Sequence, residues 1–251
     1  MKRLIVTADD VGLDRGMTAG AIRAHREGIV TACSIVANGR EFDDAVARLR
    51  DTPSLEAGVH LTLVEEESLT GIELPKSWKT FFPAYVAGRI KLPRIIDELR
   101  AQIEKVLGTG LRITHVNSHQ HLHALRQIFA VVLQLSSQYE IGYVRRVHDF
   151  GGQAGRMRRA AVNVLNRIGR TAPGNNDRTI GVMEAGHLTR IEPLLQYVEG
   201  VTELVTHPGI GVAGYAQWNY DWEGELRALC DPELRNTIAR YSIELAVPGA
   251  V

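Results

Sequence analysis

Two adjacent carboxylates, Asp9 and Asp10, follow an apolar, β-branched run near the start of the chain, Arg3-Leu4-Ile5-Val6-Thr7-Ala8. Imidazoles stand at the ends of later runs of the same kind. His60 follows Ala57-Gly58-Val59, a group of four (His115, His119, His121, His123) follows a third run, and His207 closes Leu204-Val205-Thr206. Carboxylates and imidazoles at the ends of several strands are what a metal hydrolase requires. One carboxylate and two imidazoles hold a divalent ion, and the other carboxylate handles protons. The aspartates also have a simpler reading as helix caps, a role for which Asp14 is equally placed. His60 alone reads either as a ligand or as a half-buried imidazole satisfied by its neighbours.

The segment His115-Val116-Asn117-Ser118-His119-Gln120-His121-Leu122-His123 is the strongest single signal. Each buried ring needs partners for two nitrogens, so crowding four of them is costly unless an ion or a substrate organises them. In an extended chain His119, His121 and His123 share a face, and His115, inside the strand, reads as structural. Pro208 keeps His207 out of helix. His207 is then either a general acid for a leaving amine or a residue that stabilises a turn. Arg145 and Arg146 end a further strand. One should point into the site, to hold a carboxylate or sugar hydroxyls or to orient an acid; the alternative is a surface pair.

These residues need a scaffold, and strand and helix patterns alternate along the chain. Runs at 3–8, 30–37, 57–63, 112–117, 142–147, 179–183 and 202–206 read as about seven buried parallel strands. Helical spacing covers 16–27, 94–107, 124–138, 155–169, 190–199 and 231–241. Pro93 opens the second of these, Gly108 and Gly110 stop it, and Asp231-Pro232 reads as the start of the last. The expected fold is α/β, a distorted TIM-like (β/α) barrel formed by residues 1–251 as one domain. An open nucleotide-binding sheet is disfavoured, because Asp9-Asp10-Val11-Gly12 stands where a glycine-rich loop would be. The stretch from 64 to 93 reads as a long loop carrying Trp78, Phe81, Phe82 and Tyr85, placed to act as a lid or substrate wall.

Composition narrows the partners. The chain has 251 residues, 45% of them hydrophobic, and a formal net charge of zero, which argues against nucleic acid. Cys33 and Cys230 are too few for a disulfide framework or a cysteine zinc site. No apolar run reaches membrane-spanning length, and Met1-Lys2-Arg3 leads straight into a strand, so a cytoplasmic protein is expected. Residues 156–168 read as an amphipathic helix with basic flanks, either packed on the barrel or touching a membrane surface peripherally. A homo-oligomer is left open.

The order of motifs resembles the YdjC-like carbohydrate deacetylases. It runs Thr7-Ala8-Asp9-Asp10-Val11-Gly12-Leu13, Gly28-Ile29-Val30-Thr31 with Asn38, Gly58-Val59-His60-Leu61, His115 to His123, and His207-Pro208. Within that family the pattern is most similar to the branch associated with hopanoid biosynthesis, which also carries Val-Asn ahead of the histidines. Two positions depart from the family's habits. Asn117 stands where the chitooligosaccharide deacetylases typically have Asp, which weighs against a chitin-type substrate, and Val11 replaces the usual Phe. The resemblance implies a distorted (β/α) barrel. It implies one divalent metal ion on Asp10, His60 and His119, with Asp9 as general base and His207 as acid. Arg145, with His121 or His123, and Asn38 would shape the sugar site. Two imidazole ligands favour zinc, with magnesium still open. The implied reaction is removal of acetate from an N-acetylated carbohydrate or glycolipid, such as lipid-linked N-acetylglucosamine. Rival readings are a metal-dependent lactam or cyclic-amide hydrolase and a non-catalytic sugar- or lipid-binding protein organised by a metal. The amidohydrolase arrangement is disfavoured because it places His-x-His, not Asp-Asp, on the first strand.

Overall fold

The computed structural model describes residues 1–149 and 174–251, with 159–160, 162–164 and 167 between them. The helix expected over 155–169, with its basic flanks, lies largely outside the described residues.

The strands are β1 (Lys2–Val11), β2 (Ala32–Ile35), β3 (Glu56–Leu61), β4 (Ile113–Ser118), β5 (Tyr143–Val144), β6 (Arg178–Ile180), β7 (Val201–Thr206) and β8 (Ile243–Ala246). They form one parallel sheet in the order β5-β4-β3-β2-β1-β7-β6. The seven strands expected from sequence lie on this path. The eighth, β8, runs beside the first half of β1, from Lys2↔Ile243 to Ile5↔Ala246, while β2 takes the second half from Thr7 onward. The short amphipathic run Ile243-Glu244-Leu245-Ala246 gives little periodic signal, which is why sequence reading passes over it.

The sheet curls until its two edges meet. Beyond β5 the chain continues to Asp149, which bridges Thr179, and Thr179 N–H donates to His148 O (2.8 Å). Asn176 seals the seam: its Oδ1 accepts from Arg146 N (2.7 Å) and its Nδ2 donates to Arg146 O (2.8 Å). The curl gives the sheet an interior, and the two-residue period of each strand decides what faces it. Leu4, Val6 and Ala8 pack in the core shared with the helices. Thr7 and Asp9 of β1, Ser34 of β2, His115 and Asn117 of β4, Tyr143 and Arg145 at β5 and Glu203 of β7 bond to one another across the interior.

The helices are α1 (Arg15–Glu27), α2 (Phe42–Arg50), α3 (Trp78–Val86), α4 (Leu92–Leu107), α5 (Arg126–Gln138), α6 (Glu192–Leu195), α7 (Trp222–Leu229) and α8 (Leu234–Arg240). Helix α4 begins with Pro93 in its first turn and ends at Gly108, as its sequence predicts. The helix expected at 190–199 shrinks to the four residues of α6. The one expected from Asp231 begins at Leu234, after a turn in which Asp231 Oδ1 accepts from Glu233 N (2.9 Å). The stretch 64–93 is not all loop, since it contains α3. Pro83 inside that helix and its dense aromatics blur the helical pattern.

Candidate metal centre and active site

Asp14, not Asp9 or Asp10, caps α1, accepting from Gly16 N (2.7 Å). The adjacent aspartates are therefore free for other work, and the end of β1 is built to present both. Between Ala8↔Cys33 and Val11↔Ile35 the register slips by one residue, a bulge, and Asp10 takes a left-handed backbone (φ 65°). An extra residue in the strand cancels the usual alternation, so consecutive carboxylates both approach His60, Asp10 at 3.2 Å and Asp9 at 3.8 Å. A left-handed non-glycine residue is disfavoured by about 1–2 kcal/mol, a strain of the kind that collects at working sites.

Asp10 meets two imidazoles there. Its Oδ1 lies 3.2 Å from His60 Nε2 and 2.9 Å from His119 Nδ1. All three residues are buried, and one ligand atom from each lies within 4.8 Å of the others, a group that could hold a metal ion. Protonation can be traced through the neighbours. Asp9 only accepts, so the Asn117 amide turns its nitrogen to Asp9 Oδ1 (3.0 Å) and Ser34 Oγ (2.7 Å). Asn117 Oδ1 then faces His60 Nδ1 at 2.6 Å, which must be the N–H. His60 Nε2 is left as a bare lone pair aimed at Asp10. His119 has the same arrangement, its outer Nε2 lying 3.1 Å from Glu65 Oε2 and its inner Nδ1 facing Asp10. Outward nitrogens tied to oxygen, inward nitrogens converging on a carboxylate, is how metal-binding histidines are usually held. Two lone pairs and an anion at such distances call for a cation between them. Without an ion a proton serves. Burial disfavours charge on His119, but Asp10 and then Glu65 outweigh it and raise its pKa to about 10.

Asp9 sits beneath this cluster in a different setting. Arg145 grips it with two bonds, Nη1 to Oδ2 (2.6 Å) and Nη2 to Oδ1 (2.9 Å). The same guanidinium holds Glu203 Oε1 through Nε (2.9 Å) and Nη2 (2.7 Å). Glu203 also accepts from Thr7 Oγ1 (2.7 Å) and Tyr143 Oη (2.8 Å). Burial alone would raise the Asp9 pKa; the Arg145 charge, helped by His60, pulls it well below the usual carboxylate range. Asp9 is therefore ionised at neutral pH.

His207 closes the cavity on another side. Its Nε2 is 3.9 Å from Asp10 Oδ2, its backbone N–H donates to Glu225 Oε2 (2.6 Å), and Tyr220 stands edge-on to its ring at 5.5 Å. Its Nδ1 has no hydrogen-bond partner among the described residues. Trp218 lies over the His119 ring, 5.1 Å and 26° from parallel. It is continuous with Tyr215, Tyr220 and Trp222, an aromatic wall beside the cluster.

Several expectations change. The histidine segment is not extended beyond Ser118. It turns tightly, with Gln120 (φ 50°) and His121 (φ 55°) both left-handed, so His119, His121 and His123 share no face. His123 is buried with both nitrogens engaged, by Ser118 Oγ (2.6 Å) and Arg145 O (2.9 Å). Its burial lowers its pKa to about 4, and no ring nitrogen is left for a sugar. Of the two histidines considered for that role the geometry leaves His121, whose buried Nδ1 has no hydrogen-bond partner among the described residues. Arg145 is fully enclosed and committed to Asp9 and Glu203, so it orients carboxylates instead of reaching a sugar. Asn38 spends its amide on Glu67 O (2.8 Å) and Thr62 Oγ1 (2.6 Å). His115 is structural as expected, between Ser34 Oγ and Thr114 Oγ1 (3.1 Å each). A Cβ at Gly58 would come within 2.3 Å of its ring.

The sequence reading does not single out Glu203, Glu65 or Trp218. Glu203 did leave a trace: one acid in the apolar strand Val201-Thr202-Glu203-Leu204-Val205 demands a buried cation. Glu65 is one of three successive glutamates and nothing marks it out.

The profile of the YdjC-like proteins matches residues 3–240. The chain belongs to that family. A carbohydrate deacetylase of Brevibacillus brevis is 30% identical over 97% of both chains, and a chitooligosaccharide deacetylase of Klebsiella pneumoniae is 29% identical over 94% of both. A candidate cellobiose-phosphate cleavage protein of Enterococcus faecalis shares the fold with a TM-score of 0.76 at 22% identity, covering 99% of this chain and 98% of its own.

Proposed function

We propose that this YdjC-like protein is a metal-dependent hydrolase that removes acetate from an N-acetylated sugar. The reading is supported by its deacetylase relatives. The observation that carries it is the convergence of Asp10, His60 and His119, whose inner ring nitrogens both face the Asp10 carboxylate. These three residues would hold a divalent ion, and their donor set favours zinc over magnesium on ligand softness. When bound, such an ion supplies Lewis acidity that polarises the acetamide carbonyl and makes a neighbouring water more acidic.

The chain's own groups do the rest. Asp9, kept ionised and aimed by Arg145, takes the proton of the attacking water. Asn117 fixes the tautomer of His60, and Glu65 fixes that of His119, so neither ring can turn its N–H inward. His207 delivers a proton to the departing amine from Nε2, with its backbone locked by Glu225. His121 offers the sugar its Nδ1, which has no hydrogen-bond partner among the described residues. The wall of Trp218, Tyr215 and Tyr220 supplies apolar faces of the kind on which sugar rings stack.

The hopanoid-branch resemblance adds a finer element, an N-acetylglucosaminyl lipid as substrate in the cytoplasm. The test is to measure bound metal and released acetate across N-acetylated sugars, free and lipid-linked, for the parent protein and for Asp10→Ala and His119→Ala. Both variants are expected to lose metal and at least ~10³-fold of the activity. Full activity in either would overturn the proposal, and a product other than acetate would favour the cyclic-amide alternative.

A further inference from the structure

Helix α3 has two unlike sides. Phe81 is fully buried and stacks on Tyr85 (5.6 Å, 13°), whose hydroxyl donates to Gln127 Oε1 (2.6 Å). Trp78, Phe82 and Val86, at intervals of four, are 43, 49 and 69% exposed. A solvated helix side normally carries charge, and its apolar residues belong on the packed side. Here the packed side is already filled, and a second apolar stripe faces outward.

Along the chain, the charge flanking this stripe is one-sided. Lys76, Lys79, Arg89, Lys91 and Arg94 are all exposed, and no acidic residue occurs between Glu73 and Asp97. The chain as a whole is neutral, so this is local segregation. The Lys79 ammonium lies 5.8 Å from the Trp78 ring centre, one cation standing directly beside the apolar stripe.

The two features together select an occupant. A purely apolar partner would leave five cations uncompensated, and a polyanion would leave three large apolar side chains wet. An anionic bilayer surface satisfies both. Tryptophan and phenylalanine sit at the boundary of headgroup and acyl chain, while lysine and arginine meet the lipid phosphates. No described helix is long and apolar enough to span a membrane, so the contact is one of lying on the surface. We propose that α3 and its basic flanks dock this protein on an anionic lipid surface.

The location gives the contact a consequence. Trp78 N–H donates to Gln120 Oε1 (2.8 Å), Gln120 Nε2 donates to Glu65 Oε1 (2.6 Å), and Glu65 reaches His119. The stripe is therefore tied to the rim of the catalytic cavity by two side chains, and docking sets that cavity beside the bilayer.

The test is co-sedimentation of the full chain with vesicles of phosphatidylcholine alone and of phosphatidylcholine with phosphatidylglycerol, at low and high salt. Binding is expected only to the anionic vesicles, weakened by salt. It should fall about tenfold or more in Phe82→Ser/Val86→Ser and in Lys79→Glu/Arg89→Glu. Both double variants change exposed side chains outside the catalytic machinery, so circular dichroism and acetate release from a soluble substrate should stay at parent levels. Parent-level binding in both double variants, or no binding to either vesicle, overturns the proposal. So does a dimer broken by Phe82→Ser/Val86→Ser without vesicle binding, which would make the stripe an interface between copies. Because the readout is vesicle binding, it stands or falls separately from the deacetylase reading.

Discussion

Arg145 and Trp78 both sit where their chemistry is uncomfortable, an arginine fully enclosed in the curl of a sheet and a tryptophan 43% exposed on a helix. Arg145 is compensated inside the molecule by four bonds to Asp9 and Glu203. The ring of Trp78 lies open beside Lys79. A buried charge without partners cannot persist, so the interior must complete its own network. An exposed apolar side chain loses much less, so the surface can keep a stripe whose partner lies elsewhere. Substitutions in the interior should therefore be felt in folding, and substitutions at the rim in binding.

The largest effect is expected at Arg145. Arg145→Ala leaves two carboxylates in a low-dielectric interior and should lower stability by about 3–5 kcal/mol, measured by urea unfolding. The pH dependence supplies the sign. In the parent, burial tends to raise the Glu203 pKa but Arg145 holds it below the ordinary value. Its contribution is complete above the unfolded glutamate pKa near 4.3 and is lost as pH falls through the folded value. In Arg145→Ala burial and the neighbouring Asp9 charge, both of which raise the Glu203 pKa, are opposed only by the Thr7 and Tyr143 hydrogen bonds. The folded pKa should then rise above the unfolded one, and Glu203 destabilises as pH increases. The gap between variant and parent should narrow on acidification. A gap independent of pH would show that lost packing dominates, not the unpaired carboxylate.

This contrast also marks what the sequence made legible. The strands that carry the chemistry are continuous apolar runs ending in a titratable residue, and both signals survive without tertiary context. Asp9, Asp10, His60 and His207 stand out as candidates for that reason, whereas His119 is singled out from its cluster only by the family resemblance. Fine direction could not be read, because it is set by two local departures from regular backbone. The bulge at Ala8–Val11 turns Asp10 toward Asp9's cavity, and the left-handed pair Gln120–His121 separates His121 from His123. Neither has a residue signature such as glycine, since non-glycine residues occupy both sites. Glu65 and Trp218 were unreadable for another reason: they reach the cluster from loops whose course depends on the whole fold.

A middle-sized effect is expected where a strand was thinned to admit a side chain. Gly58 does not take a left-handed backbone, so freedom of that kind is not its purpose. The added Cβ of Gly58→Ala would press on the His115 ring from 2.3–2.5 Å. His115 is held by Ser34 and Thr114 and cannot swing clear without breaking one of them. Overpacking of this kind costs about 1–3 kcal/mol. Thermal unfolding should show the loss, and His115→Ala in the Gly58→Ala background should recover part of it. Additive losses would mean that the two residues do not meet.

At the rim the same measurements should register almost nothing. Phe82 and Val86 are 49 and 69% exposed and lie outside the core, and surface changes of this type usually stay within about 0.5 kcal/mol. Helix propensity sets the sign of what remains: Ser is close to Val and Phe in a helix interior, which leaves no backbone penalty to detect. An unchanged urea midpoint, beside an Arg145→Ala chain that unfolds far earlier, would show that the two uncomfortable regions answer to different constraints. A loss above 1 kcal/mol in Phe82→Ser/Val86→Ser would mean that the stripe is packed by the chain itself, and the contrast between interior and rim would disappear.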